Sequence, residues 1–383
     1  MAEQRPVAGR EGPGHGCGHN LLGGAALMAA AAVKDYLAEN GLAGRVRYYG
    51  CPAEEGGAAK AFMVREGLFD DVDVAISWHP GPFNCVEHAV SLANCRIDYT
   101  FHGTSAHAAA EPELGRSALD AVELMNIGVN YMREHMPDSA RVHYAYLDAG
   151  GVAPNVVQSR ATVRQLVRAA DLEGLHALMA RVDKIAEGAA LMSGTRVERN
   201  VVSGVSNLLG NSVMEQAMQD AFESVGVPTF SDGDIAFAEA IRATVGRDNI
   251  VTAFRGEGLK PDMAMPLCDF LMPLERTHGG MNGSTDVGDV SWAVPLVQAR
   301  VATCAIGTAL HSWQMTAQGK SGIAHKGMAV AAKVMAATAR ALFEAPAKVE
   351  AAKAEHAAQL AEAPYVCPMP AETMPPLQPR QTE

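Results

Sequence analysis

Positive charge is scarce in this chain of 383 residues. Its 31 lysines and arginines face 43 aspartates and glutamates, a formal net charge of −12. A surface of that sign repels a phosphate backbone or an anionic bilayer, so neither nucleic acid nor a membrane is an expected partner. Long apolar runs are missing too. The longest stretch without a charged or strongly polar residue, 21–33, is rich in alanine and glycine and too short to cross a bilayer. Residues 1–14 lack the apolar core of a secretory signal, and the seven cysteines, odd in number and scattered, provide no disulfide framework. A reduced, cytoplasmic protein is expected. What the chain does have is apolar mass: 48% of its residues are hydrophobic, enough for large cores, and its length suits two or three domains.

The pattern along the chain predicts an α/β fold. A helix starts in the segment after "GHGCGHN" and closes at Gly41. "RVRYYGC" reads as a buried strand, "PAEEGG" interrupts it, "AAKAFMVREGLF" resumes helical spacing, and "VDVAISW" is a short strand. Such alternation argues for a mainly parallel central sheet flanked by helices, with functional groups gathered at the carboxyl ends of its strands. From about residue 90 the order becomes strand, helix over 117–135, strands over 141–149 and 160–168, helix over 171–192 and strand over 195–206. This β-α-β-β-α-β order is the ferredoxin-like split unit, whose antiparallel surface suits a small inserted domain that pairs with another subunit. The expected domains are 1–91, the insertion 92–206, and 207–383. In the last of these, 228–283 is loop-rich and hard to read, 323–360 is a long alanine-rich helical region, and the end, with four prolines from 370 onward, reads as a disordered tail.

Cys17 and His19 stand two residues apart, a pair that can aim at one ion of borderline softness. Alone, the pair reads equally well as a small buried cysteine beside a helix-capping residue. Two adjacent glutamates, Glu54 and Glu55, follow a predicted strand and precede Gly-Gly; a solvated turn is the alternative there. His79 after "AISW" and His311 after "CAIGTAL" repeat the placement of a histidine just past an apolar strand or turn. Five groups of ligand type, Cys17, His19, Glu55, His79 and His311, are thus expected at one edge of one sheet, a convergence that chance does not explain.

The series "GHGCGHNLLG", "CPAEEGG", "WHPG", "GTSAHAA", "GGVAPNVV", "STDVGDVSW", "HSWQ" and "AHKGM" resembles the dinuclear metallo-amidohydrolases and aminoacylase-like peptidases of clan MH, in order and over nearly the whole chain. The resemblance implies two divalent ions per subunit, manganese or zinc, held by Cys17, His19, Glu55, His79 and His311, with Glu54 as general base. In the wider family an Asp often follows the Cys-Gly-His triplet. Asn20 stands there instead, as is usual in the subgroup that acts on p-aminobenzoyl-glutamate. The resemblance further implies that His107 in "GTSAHAA" stabilises the oxyanion, often from the partner subunit's lid, and that Asn155 and Arg168 hold the substrate's carboxylate. A surface histidine, a turn asparagine and a solvated strand end are the plainer readings of these three. The inserted unit then becomes a lid and dimerisation domain, giving a homodimer to which a companion A-type subunit could add.

The implied activity is hydrolysis of an N-acyl amino acid, with p-aminobenzoyl-glutamate as the leading substrate. A dipeptide or another N-acyl amino acid, or a truncated subunit without catalysis, are the alternatives. Asp286 reads either as orienting a ligand histidine or as a helix cap. Family members normally carry a long segment before the metal motif, so the resemblance also implies that the N-terminal part of the catalytic domain is missing and that a sheet edge is left open.

Overall fold

The computed structural model describes residues 14–275 and 283–377. Among the described residues there are two sheets. In the first, β1 (Ala75–Gly81) runs parallel to β7 (Leu296–Ala302), with His79 opposite Arg300, and the short β2 (Cys85–Val86) pairs antiparallel on the other side of β7. Helix α1 (His19–Glu39) packs against this sheet and against α10 (Gly322–Glu344). By length and composition α1 could cross a bilayer. Its stripe of Leu21, Ala25, Ala29, Val33 and Leu37 is buried, while Leu27 and Met28 on the other side are exposed. The small side chains on both helices permit close approach. A Cβ on Gly327 of α10 would lie 2.3 Å from the Ala302 carbonyl, so that helix sits directly on β7.

The second sheet has the order β4-β5-β3-β6, from β3 (Ala93–His102), β4 (Arg141–Asp148), β5 (Arg160–Ala169) and β6 (Arg196–Val205), all pairs antiparallel. Alternate residues of β3, among them Cys95, Ile97, Tyr99 and Phe101, are buried. They pack with Val122 and Met125 of α3 (Ala118–Met132) and Leu175 and Val182 of α4 (Leu172–Ser193). The element order is the predicted β-α-β-β-α-β, and the period-2 and period-4 patterns make it so. Ser117 and Asp171 cap the two helices with their side chains.

Three predicted elements come out differently. "RVRYYGC", residues 45–51, is not a strand. Its side chains are spent elsewhere: Arg45 and Arg47 pair with Asp71, and the Tyr49 hydroxyl donates to the Leu68 carbonyl. Strand propensity without a paired edge does not make a strand. The first sheet is accordingly a small mixed one, with one parallel and one antiparallel pair rather than a run of parallel strands. The helical region 323–360 is two helices, because Pro346 opens α11 (Pro346–Glu362), where its missing N–H is harmless. The poorly legible stretch after α5 (Ser212–Val225) contains α6 (Asp232–Arg242), opened by a Ser231–Asp234 capping box, and α7 (Arg247–Gly256); residues 276–282 lie outside the described residues. Beyond them come α8 (Val287–Ala293) and the short α9 (Trp313–Gln318).

The C-terminal segment carries neither helix nor strand from 363 to 377, as predicted, yet it is anchored rather than disordered there. Tyr365 donates to Asp289 of α8, and Arg65 of α2 (Ala59–Arg65) donates to the Thr373 carbonyl. Met369 is 3% exposed within the core of the four-stranded unit. Residues 378–383 lie outside the described residues. Replacing Met369 by Ala is expected to destabilise the fold by about 2–5 kcal/mol, the range for emptying a buried methionine site. Urea denaturation should give a lower midpoint at unchanged slope; an unchanged midpoint would show that the segment does not contribute to stability.

Candidate metal centre

The cluster begins at the start of α1. Between Cys17 and His19 the chain turns at Gly18, whose φ of 82° is left-handed. A Cβ there would also come within 3.0 Å of the Pro80 side chain, so glycine alone suits both the backbone and the contact. Through that contact Cys17 Sγ lies 3.5 Å from His79 Nε2. His79 Nδ1 is 2.8 Å from the Pro80 carbonyl. A carbonyl only accepts, so Nδ1 carries the proton and Nε2 presents its lone pair to the thiol.

His311, in the turn before α9, is held by the same stretch. Its N–H donates to the Gly16 carbonyl at 2.8 Å, and a Cβ on Gly16 would lie 3.0 Å from the His311 Cα. His311 has a φ of 60°, Ala53 57° and Ala58 51°; among the described residues these are the non-glycine positions with positive φ. Each costs about 1–3 kcal/mol and needs its surroundings to hold it there, and all three carry or bracket the cluster. Ala53 and Ala58 close the tight turn of Glu54 and Glu55, where the Ala53 carbonyl accepts from the N–H of Gly57 at 2.7 Å. The turn splits the glutamates. Glu54 Oε2 is 4.0 Å from His19 Nε2, and Glu55 Oε2 is 3.2 Å from His311 Nε2.

The ligand-type atoms fall into overlapping triples, each lying within 4.8 Å: Cys17 with His19 and His79, Cys17 with Glu55 and His311, and His19 with Glu54 and Glu55. All six residues that the sequence grouped are therefore brought together. Electrostatics matches a cation. Burial, with Glu55 and Glu54 adding, pushes the Cys17 thiol up to about 12, and burial pulls the His79 imidazole down to about 4. Burial, reinforced by Asp286, raises the Glu54 carboxyl, while Thr285, Lys60 and His19 oppose the rise. A protonated Cys17 thiol, a neutral His79 imidazole and crowded carboxylates form a donor set short of positive charge. A divalent transition metal supplies that charge and takes sulfur, nitrogen and oxygen together.

The remaining predicted residues are placed apart. His107 is exposed; its Nδ1 accepts from the N–H groups of Ala109 and Ala110 at 3.3 and 3.1 Å, which leaves the proton on Nε2. The Asn155 carbonyl accepts from the Ala108 N–H at 3.0 Å. Arg168 donates to the Ser284 hydroxyl at 3.0 Å. Among the described residues, no hydrogen bond or ion pair joins these three to the cluster. Asp286 follows neither sequence reading. It orients no histidine and does not cap its own helix α8; it accepts from the Lys60 ammonium at 2.7 Å and from the Lys60 N–H at 3.0 Å, so it caps α2.

Lys60, Thr285 and Arg96 were not foreseen. Arg96 reaches the Gly56 carbonyl at 3.4 Å from β3. No local pattern flags a lysine at the start of a helix or an arginine within a strand; proximity arises only in three dimensions. Beside the cluster lies a cavity of about 430 Å³ lined by Gly14, Gly16, Glu55, His311, Ser312, Trp313 and Thr316.

Residues 2–212 match the family model for peptidase family M20/M25/M40. Over 372 residues the chain is 46% identical to the B-type subunit of p-aminobenzoyl-glutamate hydrolase from Escherichia coli K12, covering 94% of this chain and 77% of that protein. It is 27% identical over 356 residues to Xaa-Arg dipeptidase of Mus musculus, covering 91% of this chain and 71% of that one. Its fold is similar to that of a dinuclear metal binding peptidase of the M20 family from Bacillus subtilis, with a TM-score of 0.54, 17% identity, and coverage of 89% of this chain and 78% of that one. The chain thus belongs to peptidase family M20/M25/M40 and is a metal-dependent hydrolase.

Proposed function

We propose that this hydrolase cleaves the amide bond of an N-acyl amino acid, p-aminobenzoyl-glutamate first among them, at a pair of divalent ions. The observation that carries the proposal is the pair of donor triples that share Cys17 next to a spare carboxylate, Glu54. The 46% identity to one subunit of a p-aminobenzoyl-glutamate hydrolase supports the substrate. In this reading Cys17, His19, Glu55, His79 and His311 hold the ions, manganese or zinc, whose chemistry when bound is to acidify water and polarise the amide carbonyl. Glu54, half-buried and free of the backbone, takes the water's proton and returns it to the leaving nitrogen. Its raised affinity for protons suits a base that must hold one briefly.

The four-stranded unit, 92–206, serves as lid and dimerisation domain, and 1–91 with 207–383 form the catalytic domain. His107 acts on the oxyanion from the partner's lid. Its exposure, its Nε2–H and the lack, among the described residues, of a hydrogen bond to the cluster of its own chain support that role. Asn155 and Arg168 receive the substrate's carboxylate, and a companion A-type subunit is compatible with the bacterial relative's being a B-type one. Seven cysteines with no disulfide among the described residues support a reduced, cytoplasmic setting. A dipeptide substrate is the second reading, favoured by the murine relative's activity.

Removing divalent ions with a chelator should abolish activity, and Cys17→Ala should lower the metal content from close to two ions per chain. Elemental analysis showing no bound metal, even after manganese or zinc is supplied, would remove the basis for the reaction. The two glutamates should separate cleanly. Glu54→Gln keeps its metal and loses turnover by roughly 10²- to 10⁴-fold, the usual size of a general-base contribution, whereas Glu55→Gln loses metal and recovers partly with excess ion. The reverse pattern would exchange their roles. Finally, a mixed dimer of His107→Ala and Glu54→Gln chains should regain activity that neither homodimer shows, since one of its sites has both groups intact. If the mixture stays inactive while remaining dimeric, His107 does not act across subunits.

A further inference from the structure

The chain has three tryptophans, and two of them are ordinary core residues. Trp78 and Trp292 are buried and donate their indole N–H to the carbonyls of Leu22 and Asn207 at 3.0 and 2.8 Å. Trp313 is different. It is half-buried at the start of α9, two residues past His311, and among the described residues its indole N–H has no acceptor. It lines the cavity that reaches Glu55 and His311, and it is the aromatic residue of that lining.

The rest of the wall says which half of a substrate fits. Gly14 and Gly16 contribute bare backbone; a Cβ on Gly14 would collide with Thr316 at 2.3 Å, and one on Gly16 would press on the His311 backbone at 3.0 Å. Ser312 and Thr316 add hydroxyls. Among the described residues no lysine or arginine lines the cavity, so the carboxylates of an amino-acid moiety find no counter-charge there. Guanidinium groups stand outside it, Arg96 at the Gly56 carbonyl and Arg168 at Ser284. The neutral acyl half is left for this cavity, to whose lining Trp313 adds an indole whose N–H has no acceptor among the described residues.

We infer that Trp313 is the aryl-binding wall of the acyl pocket, so that the site takes N-aroyl amino acids in preference to N-alkanoyl ones. This rests on the N-acyl amino acid reading for the choice of ligand, and binding can be tested apart from turnover. The metal-loaded full chain would be titrated calorimetrically with p-aminobenzoate, which it cannot hydrolyse, and with butyrate as an alkyl acid. Hydrolysis of N-benzoyl-glutamate and N-acetyl-glutamate would be followed in parallel. Trp313→Leu should weaken p-aminobenzoate binding by about tenfold, the loss of one ring pair and its buried area, and leave butyrate binding unchanged. Trp313→Phe, which keeps a ring, should restore most of the aryl affinity.

Equal affinity of wild type and Trp313→Leu for p-aminobenzoate would overturn the inference, as would equal losses for both acids. Should the leucine variant not fold, the indole N–H resonance that vanishes in Trp313→Phe decides: it shifts on adding p-aminobenzoate to the wild type if Trp313 is the wall, and stays in place if it is not. A chain that binds p-aminobenzoate through Trp313 but hydrolyses no N-acyl amino acid would overturn the proposed function and uphold this inference.

Discussion

The approach of the Gly14–Gly18 backbone to the distant His311 turn and to strand β1 is the constraint on which the cluster depends. At Gly16 it meets His311, joined by a 2.8 Å hydrogen bond, and at Gly18 it meets Pro80. Cys17 lies between these contacts, so a single short stretch fixes the thiol against His79 on one side and places His311 on the other. Neither approach tolerates a Cβ without displacement, and Gly18 also needs its left-handed backbone. The glycines of "GHGCGHN" therefore matter as much as its ligand-type residues. They set the distance between elements that are about 290 residues apart in sequence.

A second constraint is electrostatic. Glu54 and Asp286 lie near each other, and Asp286 is fully buried. An unpaired buried carboxylate costs several kcal/mol, which the Lys60 ammonium and the α2 N-terminus offset by holding Asp286 at 2.7 and 3.0 Å. The two neighbouring acids are held differently. Asp286 accepts from a cation and a helix end, whereas Glu54 has only Thr285, Lys60 and His19 against its burial, and binds protons more readily than an ordinary glutamate. Had Lys60 paired with Glu54 instead, that proton affinity would be lost.

The sequence was legible wherever local pattern decides structure. The strand and helix patterns over 92–206 were enough for the four-stranded unit, because each strand there finds its neighbour within the same unit. The six residues of the cluster were also legible, since Cys17 with His19 and Glu54 with Glu55 are close pairs of chemically expensive groups. "RVRYYGC" misled because its strand propensity was real and its partner absent; its arginines found Asp71 instead. Asp286 misled for a related reason. Its position before α8 marks it as a cap, but the helix it caps, α2, begins 227 residues earlier in the chain. Lys60 and Arg96 carry no mark at all, because a single cation in a helix or strand is read as solvated until the fold shows what it faces.

Two arginines on adjacent strands reach from the four-stranded unit to chain neighbours of Glu55 and Asp286. Arg96 of β3 donates to the Gly56 carbonyl, next to Glu55, at 3.4 Å, and Arg168 of β5 donates to Ser284, two residues from Asp286, at 3.0 Å. Burial, with the like charge of Arg96 adding, lowers the proton affinity of Arg168. An anion between them would relieve both the repulsion and the desolvation, since a carboxylate accepts from a guanidinium in paired, charge-assisted hydrogen bonds.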